Sequence, residues 1–168
     1  MFFNHAHIIP REIRADGGIE PFLALADELE LEGAVCFAPF SYQMTSAGIH
    51  PNSWLARQLP PDGRFIGFGT LDPQQDPVEQ VREIADLGFR GIKLHPAAQQ
   101  FPVFGDWARR AYEAMIRHGL VADFHTGIHW HRLSEYHPGL FDEVAHHYPE
   151  LTMVFEHVGG WHFFREMV

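Results

Sequence analysis

The chain has 168 residues, enough for one buried core and too few to suggest two. It carries 22 Asp and Glu against 12 Lys and Arg, a formal net charge of −10 with histidine neutral. That balance disfavours a nucleic-acid binder and offers no basic block for an anionic membrane surface.

Short apolar runs alternate with longer amphipathic segments. Phe2–Ile9 reads as a first strand and stops at Pro10-Arg11, without the positive leading segment of a secretory signal. Ile19–Leu31 has apolar residues at helical spacing and Glu on the other face. Gly33–Phe40 is a second strand holding Cys36, the single cysteine, which excludes an intrachain disulfide and reads as a small buried hydrophobe. Residues 41–61 are less regular, with a short helix expected around Ser53–Gln58, and Arg64–Leu71 is a third strand.

Asp76 then reads as the N-cap of a helix running to Leu87, with Pro77 in its first turn, Glu79 as capping-box partner and Gly88 as its stop. Phe89–His95 is a fourth strand, Asp106–His118 a helix closed by Gly119, and Leu120–His125 a fifth strand. Leu140–His147 is a short helix ended before Pro149, Leu151–His157 a sixth strand, and Trp161–Val168 the beginning of a further element. No apolar run approaches the ~20 residues that cross a bilayer, so no membrane partner is expected and the chain reads as soluble and cytoplasmic. Strands alternating with helices predict an α/β fold of parallel βα units, whose chemistry lies at the carboxyl ends of the strands.

Histidines mark those ends. His5 and His7 are two apart in a strand, so both project from one face, as half of a metal site would. His125 ends the fifth strand, either as a further ligand or as a capping or stacking ring, with Asp123 on the same face to orient it. His157 precedes Val158-Gly159-Gly160 and suits either ligation or proton transfer. His95 reads as substrate-facing. Lys93 reads as a binder of a substrate anion, a metal-bridging group after carbamylation, or the ion-pair partner of Asp123. His129, His131 and His137, with Trp130 between the first two, are expected in a solvated loop. No GxGxxG, GxxxxGK[ST] or GxSxG pattern occurs.

The ordered set His5-Ala6-His7, Gly91-Ile92-Lys93-Leu94-His95-Pro96, His125-Thr126-Gly127 and His157-Val158-Gly159-Gly160 resembles the amidohydrolase superfamily. It is most similar to the amidohydrolase-related branch that includes aminocarboxymuconate-semialdehyde decarboxylase. The resemblance spans essentially all of residues 1–168 as one domain. It implies a (β/α)8 TIM barrel of the metal-dependent hydrolase type, with His5, His7 and His125 as metal ligands, His157 as acid/base, and zinc as the default divalent ion. Lys93 and His95 are the expected substrate-binding residues. The implied reaction is hydrolysis of C–N or C–O bonds of a small molecule by an activated water. The alternatives are non-oxidative decarboxylation of a small unsaturated or aromatic acid, and a non-catalytic metal-binding fragment. The family's Asp before the HxH motif is replaced by Phe3, and its strand-eight Asp has no counterpart. A barrel truncated after about six βα units is therefore expected, with raw strand edges at which copies could associate.

Overall fold

In the computed structural model the described residues are 1–44, 50–129 and 131–168. Residues 45–49 of the irregular stretch and Trp130 of the histidine-rich loop lie outside them. The strands are β1 (Phe2–His7), β2 (Gly33–Phe37), β3 (Phe65–Thr70), β4 (Gly91–Leu94), β5 (Val121–His125) and β6 (Met153–Glu156). Among the described residues they form one parallel sheet in the order β1-β2-β3-β4-β5-β6. The helices are α1 (Ile19–Glu28), α2 (Pro51–Gln58), α3 (Pro77–Asp86), α4 (Pro96–Gln99), α5 (Asp106–His118), α6 (Pro138–His147) and α7 (Gly160–Met167). The architecture is a curled arc of six βα units of a TIM barrel.

Local chemistry sets the helix ends. Asp76 accepts from the backbone N–H groups of Val78 (2.9 Å) and Glu79 (3.2 Å), so α3 is capped as its sequence predicts. The reciprocal capping box does not form, because the Glu79 carboxylate pairs with Arg82 one turn on. α5 begins and ends as read, with Gly119 at φ +64° closing it. α4 was not legible. Its four residues follow His95, whose Nδ1 accepts from Ala98 N–H, so the fourth strand ends before His95 and not at it.

Strand alternation divides the sheet into two faces. On the convex face, Ala34, Cys36, Ile92, Leu94, Ala122 and Phe124 join helix residues such as Ala26, Ile84, Met115 and Val144 in the hydrophobic core. Burial there pushes the Cys36 thiol up to about 12, as expected of an inert hydrophobe. On the concave face Phe37 packs edge-on against Phe68, and the Lys93 ammonium stands 5.1 Å from the centre of the Phe37 ring. Phe2 and Phe3 of β1 and Val154 of β6, on the two outermost strands, are exposed. No helix among the described residues is long and apolar enough to cross a membrane.

Candidate active site

Six histidines from four segments of the chain meet at the carboxyl edge of the sheet. His5 and His7 come from the end of β1, His95 from the N-cap of α4, His125 from the end of β5, His129 from the following loop, and His157 from the residue after β6. Together with His131, Arg14, Phe40, Tyr42 and Gln43 they line a cavity of about 500 Å³. The rings are close. His5 lies 4.9 Å from His7 and 5.5 Å from His157 between centroids, and His125 lies 4.6 Å from His157. His95 and His125 are stacked at 3.9 Å with 9° between their planes.

Backbone devices hold these rings in place. The buried Thr126 hydroxyl donates to the carbonyl of Glu156 at 2.5 Å and accepts from Gly159 N–H at 2.9 Å, tying the end of β5 to the turn after β6. Gly127 packs directly against His157, where a methyl group would lie 3.0 Å from the His157 Cβ. His157 and Val158 have φ of +63° and +43°, a conformation a β-branched residue rarely adopts.

Beside the imidazoles lies a buried charge network. Lys93, in register with Asp123 of the neighbouring strand, donates to its carboxylate at 2.9 Å. The Lys93 ammonium also lies against the carboxylate of Glu156, and the other oxygen of that carboxylate takes the Nδ1–H of His5. Glu156 Oε2 nevertheless has no well-formed hydrogen bond. Burial lowers Lys93 to about 8 against the opposing pull of Asp123, and raises Asp123 against the pull of Lys93.

Burial is also the main reason every shifted imidazole of the site is hard to protonate. His125 falls to about 2, His7 to about 3 and His95 to about 4, with neighbouring imidazoles and Lys93 adding to each shift. His5 and His157 shift in the same direction for the same reason. Near neutral pH these rings therefore offer lone pairs and no positive charge, a donor set suited to a divalent transition metal. His5, Glu156 and His157 bring ligand atoms within 4.8 Å of one another, and so do His95, His125 and His129.

The predicted site residues thus share one edge, but not in the expected grouping. His5 falls with Glu156 and His157, His125 falls with His95 and His129, and His7 stands beside His5 outside either set. Lys93 is 1% exposed and does not line the cavity, its ammonium being held by carboxylates. Three residues were missed or misjudged. The sequence pattern does not single out Glu156, a lone strand carboxylate whose role shows only once Lys93 and His5 stand against it. His129 and His131 line the cavity although they were expected in a solvated loop, because the buried Tyr136 folds that loop back and donates its hydroxyl to His129 O at 3.0 Å. His137 caps α6, its Nδ1 accepting from Gly139 N–H. A neighbouring groove of about 640 Å³, lined by Phe101, Val103, Phe104 and Leu140, shares His131 with the cavity.

An edge of this kind on an arc of parallel βα units is the active-site rim of a TIM-barrel enzyme fold. The chain belongs to the amidohydrolase family, whose model matches residues 5–168. Among solved structures, an uncharacterised TIM-barrel protein from Bordetella bronchiseptica aligns with a TM-score of 0.76 at 19% identity, over 99% of this chain and 70% of that one. A candidate 2-pyrone-4,6-dicarboxylic acid hydrolase from Pseudomonas putida aligns with a TM-score of 0.71 at 20% identity, over 99% and 63%. The 5-carboxyvanillate decarboxylase of Novosphingobium aromaticivorans, solved with bound manganese, aligns with a TM-score of 0.58 at 23% identity, over 82% and 49%. This chain therefore spans from about half to 70% of the length of these proteins, and at such identities the likeness is one of fold. A search of curated protein sequences finds no match.

Proposed function

We propose that this chain carries the active site of a metal-dependent hydrolase that cleaves a C–N or C–O bond of a small molecule. The observation that supports this best is the convergence of His5, His7, His95, His125, His129 and His157 on one cavity, with five of those rings made hard to protonate. The resemblance assigns the ion to His5, His7 and His125, and His157, 5.5 Å from His5 and 4.6 Å from His125 between ring centroids, links the two sets in which His5 and His125 fall. Zinc is the default ion, with manganese, as bound in the Novosphingobium relative, the alternative. When bound, a divalent ion polarises a carbonyl and lowers the pKa of water towards neutrality.

The chain's own residues do the rest. Glu156 accepts from His5 Nδ1, which fixes that ring's tautomer and leaves Nε2 as its ligating atom. His157, neutral near pH 7, takes a proton from the attacking water and returns it to the leaving group. His95 faces the substrate. Lys93 contributes by positioning Glu156 and Asp123 from within the sheet. The Phe101–Phe104 groove gives room for an apolar part of the substrate.

The test is metal content by elemental analysis, followed by product assays on lactones, amides and aromatic acids with zinc- and manganese-loaded protein. One ion per chain, lost in His5→Ala and His125→Ala, together with water-dependent cleavage, is the expected result. Release of CO2 from an aromatic acid would replace hydrolysis by decarboxylation, the activity named for the Novosphingobium relative. Metal binding with no turnover would leave a non-catalytic metal-binding chain.

A further inference from the structure

Hydrogen bonds to three of the clustered rings dictate which nitrogen carries the proton. A backbone N–H can only donate, so the 3.2 Å contact from Ala98 N–H makes His95 Nδ1 an acceptor. A neutral imidazole whose Nδ1 accepts must carry its hydrogen on Nε2. The opposite holds for His125, whose Nε2 meets the carbonyl oxygen of Gly127 at 2.6 Å, so that Nε2 donates and Nδ1 keeps the lone pair. His5 donates from Nδ1 to Glu156 and keeps its lone pair on Nε2.

His95 is therefore the odd ring of its stack. It lies 3.9 Å from His125 and lines the same cavity, yet its free polar group is an N–H and not a lone pair. The ring is held in this orientation by the Ala98 N–H on Nδ1 and by its stack on His125, and the backbone that carries it is fixed as well. The backbone N–H of His95 donates to Gln99 Oε1 at 2.7 Å, and Gln99 Nε2 donates in turn to Leu71 O at 2.7 Å, so the residue is clamped to the end of β3.

We propose that His95 is not a metal ligand but the site's neutral oxygen-recognition group, its Nε2–H donating to a carbonyl or carboxylate oxygen of the substrate. The substrate class is accordingly a small acid, lactone or amide that presents an acceptor oxygen beside the ion while His125 Nδ1 and His5 Nε2 take the ion itself. This presupposes the metal centre proposed above, and the two can fail separately.

Long-range proton–nitrogen NMR of the imidazoles separates them, first on the metal-free chain, then with zinc added, then with benzoate as the acceptor probe. In the metal-free chain His95 is expected to show the Nε2–H form and His125 the Nδ1 lone pair. Zinc should shift the His125 Nδ1 and His5 Nε2 signals while the His95 Nε2 proton persists, and benzoate should move that proton downfield. His95→Ala should keep the zinc stoichiometry and weaken benzoate at least about tenfold, the loss expected for a hydrogen bond to a charged acceptor, and His95→Gln should restore most of it. An Nδ1–H form of His95, loss of its Nε2 proton on adding zinc, loss of zinc from His95→Ala, or an Nε2 proton indifferent to benzoate would each overturn the proposal. Failure of zinc to bind at all would reject the metal centre, while the His95 tautomer in the metal-free chain would still be decided.

Discussion

His5 on β1 donates from Nδ1 to the carboxylate of Glu156 on β6, although these are the two outermost strands of the sheet and share no backbone hydrogen bond. The curl of the sheet brings them together across its concave face, and Lys93 of β4 meets the same carboxylate from a third direction. Glu156 is thus the point at which a candidate ligand, a buried cation and both ends of the sheet are joined.

Glu156→Gln should be costly for that reason. It removes one of the two carboxylates that hold a fully buried ammonium, and breaking a buried pair from one side costs about 3–5 kcal/mol. Urea unfolding of the metal-free variant measures this, and metal affinity should fall about 10–100-fold as His5 loses its orienting partner. Unchanged stability would mean that Asp123 alone satisfies Lys93.

Thr126→Val should loosen the turn that carries His157. The hydroxyl both donates to Glu156 O and accepts from the buried Gly159 N–H, so its removal leaves a buried donor unpaired at about 1–3 kcal/mol. Thr126→Ser keeps both bonds and should recover most of the loss. Thermal unfolding of the two variants side by side gives the answer, and equal melting points would refute the clip.

Gly127→Ala should act on geometry more than on stability. Its new methyl group would lie 3.0 Å from the His157 Cβ and 3.2 Å from Cγ, so the ring must give way. The expected result is a small change in melting temperature with a displaced His157 resonance and a large loss of kcat. Full activity would show that His157 is not held as described.

Acid should begin to destabilise the metal-free protein below about pH 6.5, where free histidine takes up its proton. His95 is 6% exposed and takes up its proton only near pH 4 when folded, against about 6.5 in an unfolded chain. Between those values the unfolded state binds the extra proton, so stability falls as pH falls, by up to about 1.4 kcal/mol per pH unit for this one group. Urea unfolding at pH 7.5 and pH 5 should show the decline, and a flat profile would contradict it.

The fold was legible wherever local signals were complete. α5 was read to the residue because Asp106 opens it and Gly119, in a left-handed conformation, closes it. The strands were over-extended by a few residues, as at Phe89–His95, because an apolar run does not reveal where chain-to-chain pairing stops. The cavity histidines at strand ends were legible from spacing alone. Their grouping was not, since whether His125 approaches His5 or His95 depends on the curl of the sheet and on stacking. Glu156 was missed because one carboxylate in a strand looks like a solvated residue until its partners Lys93 and His5 are seen. His129 and His131 were misjudged because Tyr136, which folds their loop inward, lies seven and five residues downstream.

The crowding of imidazoles has one more consequence. Burial holds His7 and His125 down first, but Lys93 and the neighbouring imidazoles (His5, His157 and His95 for His7; His95 and His157 for His125) add to it, so a ring that accepts a proton raises the cost for the next. Acid titration of the cluster should be spread out and anti-cooperative, a broad shallow curve over several pH units in which no single ring reports the state of the others.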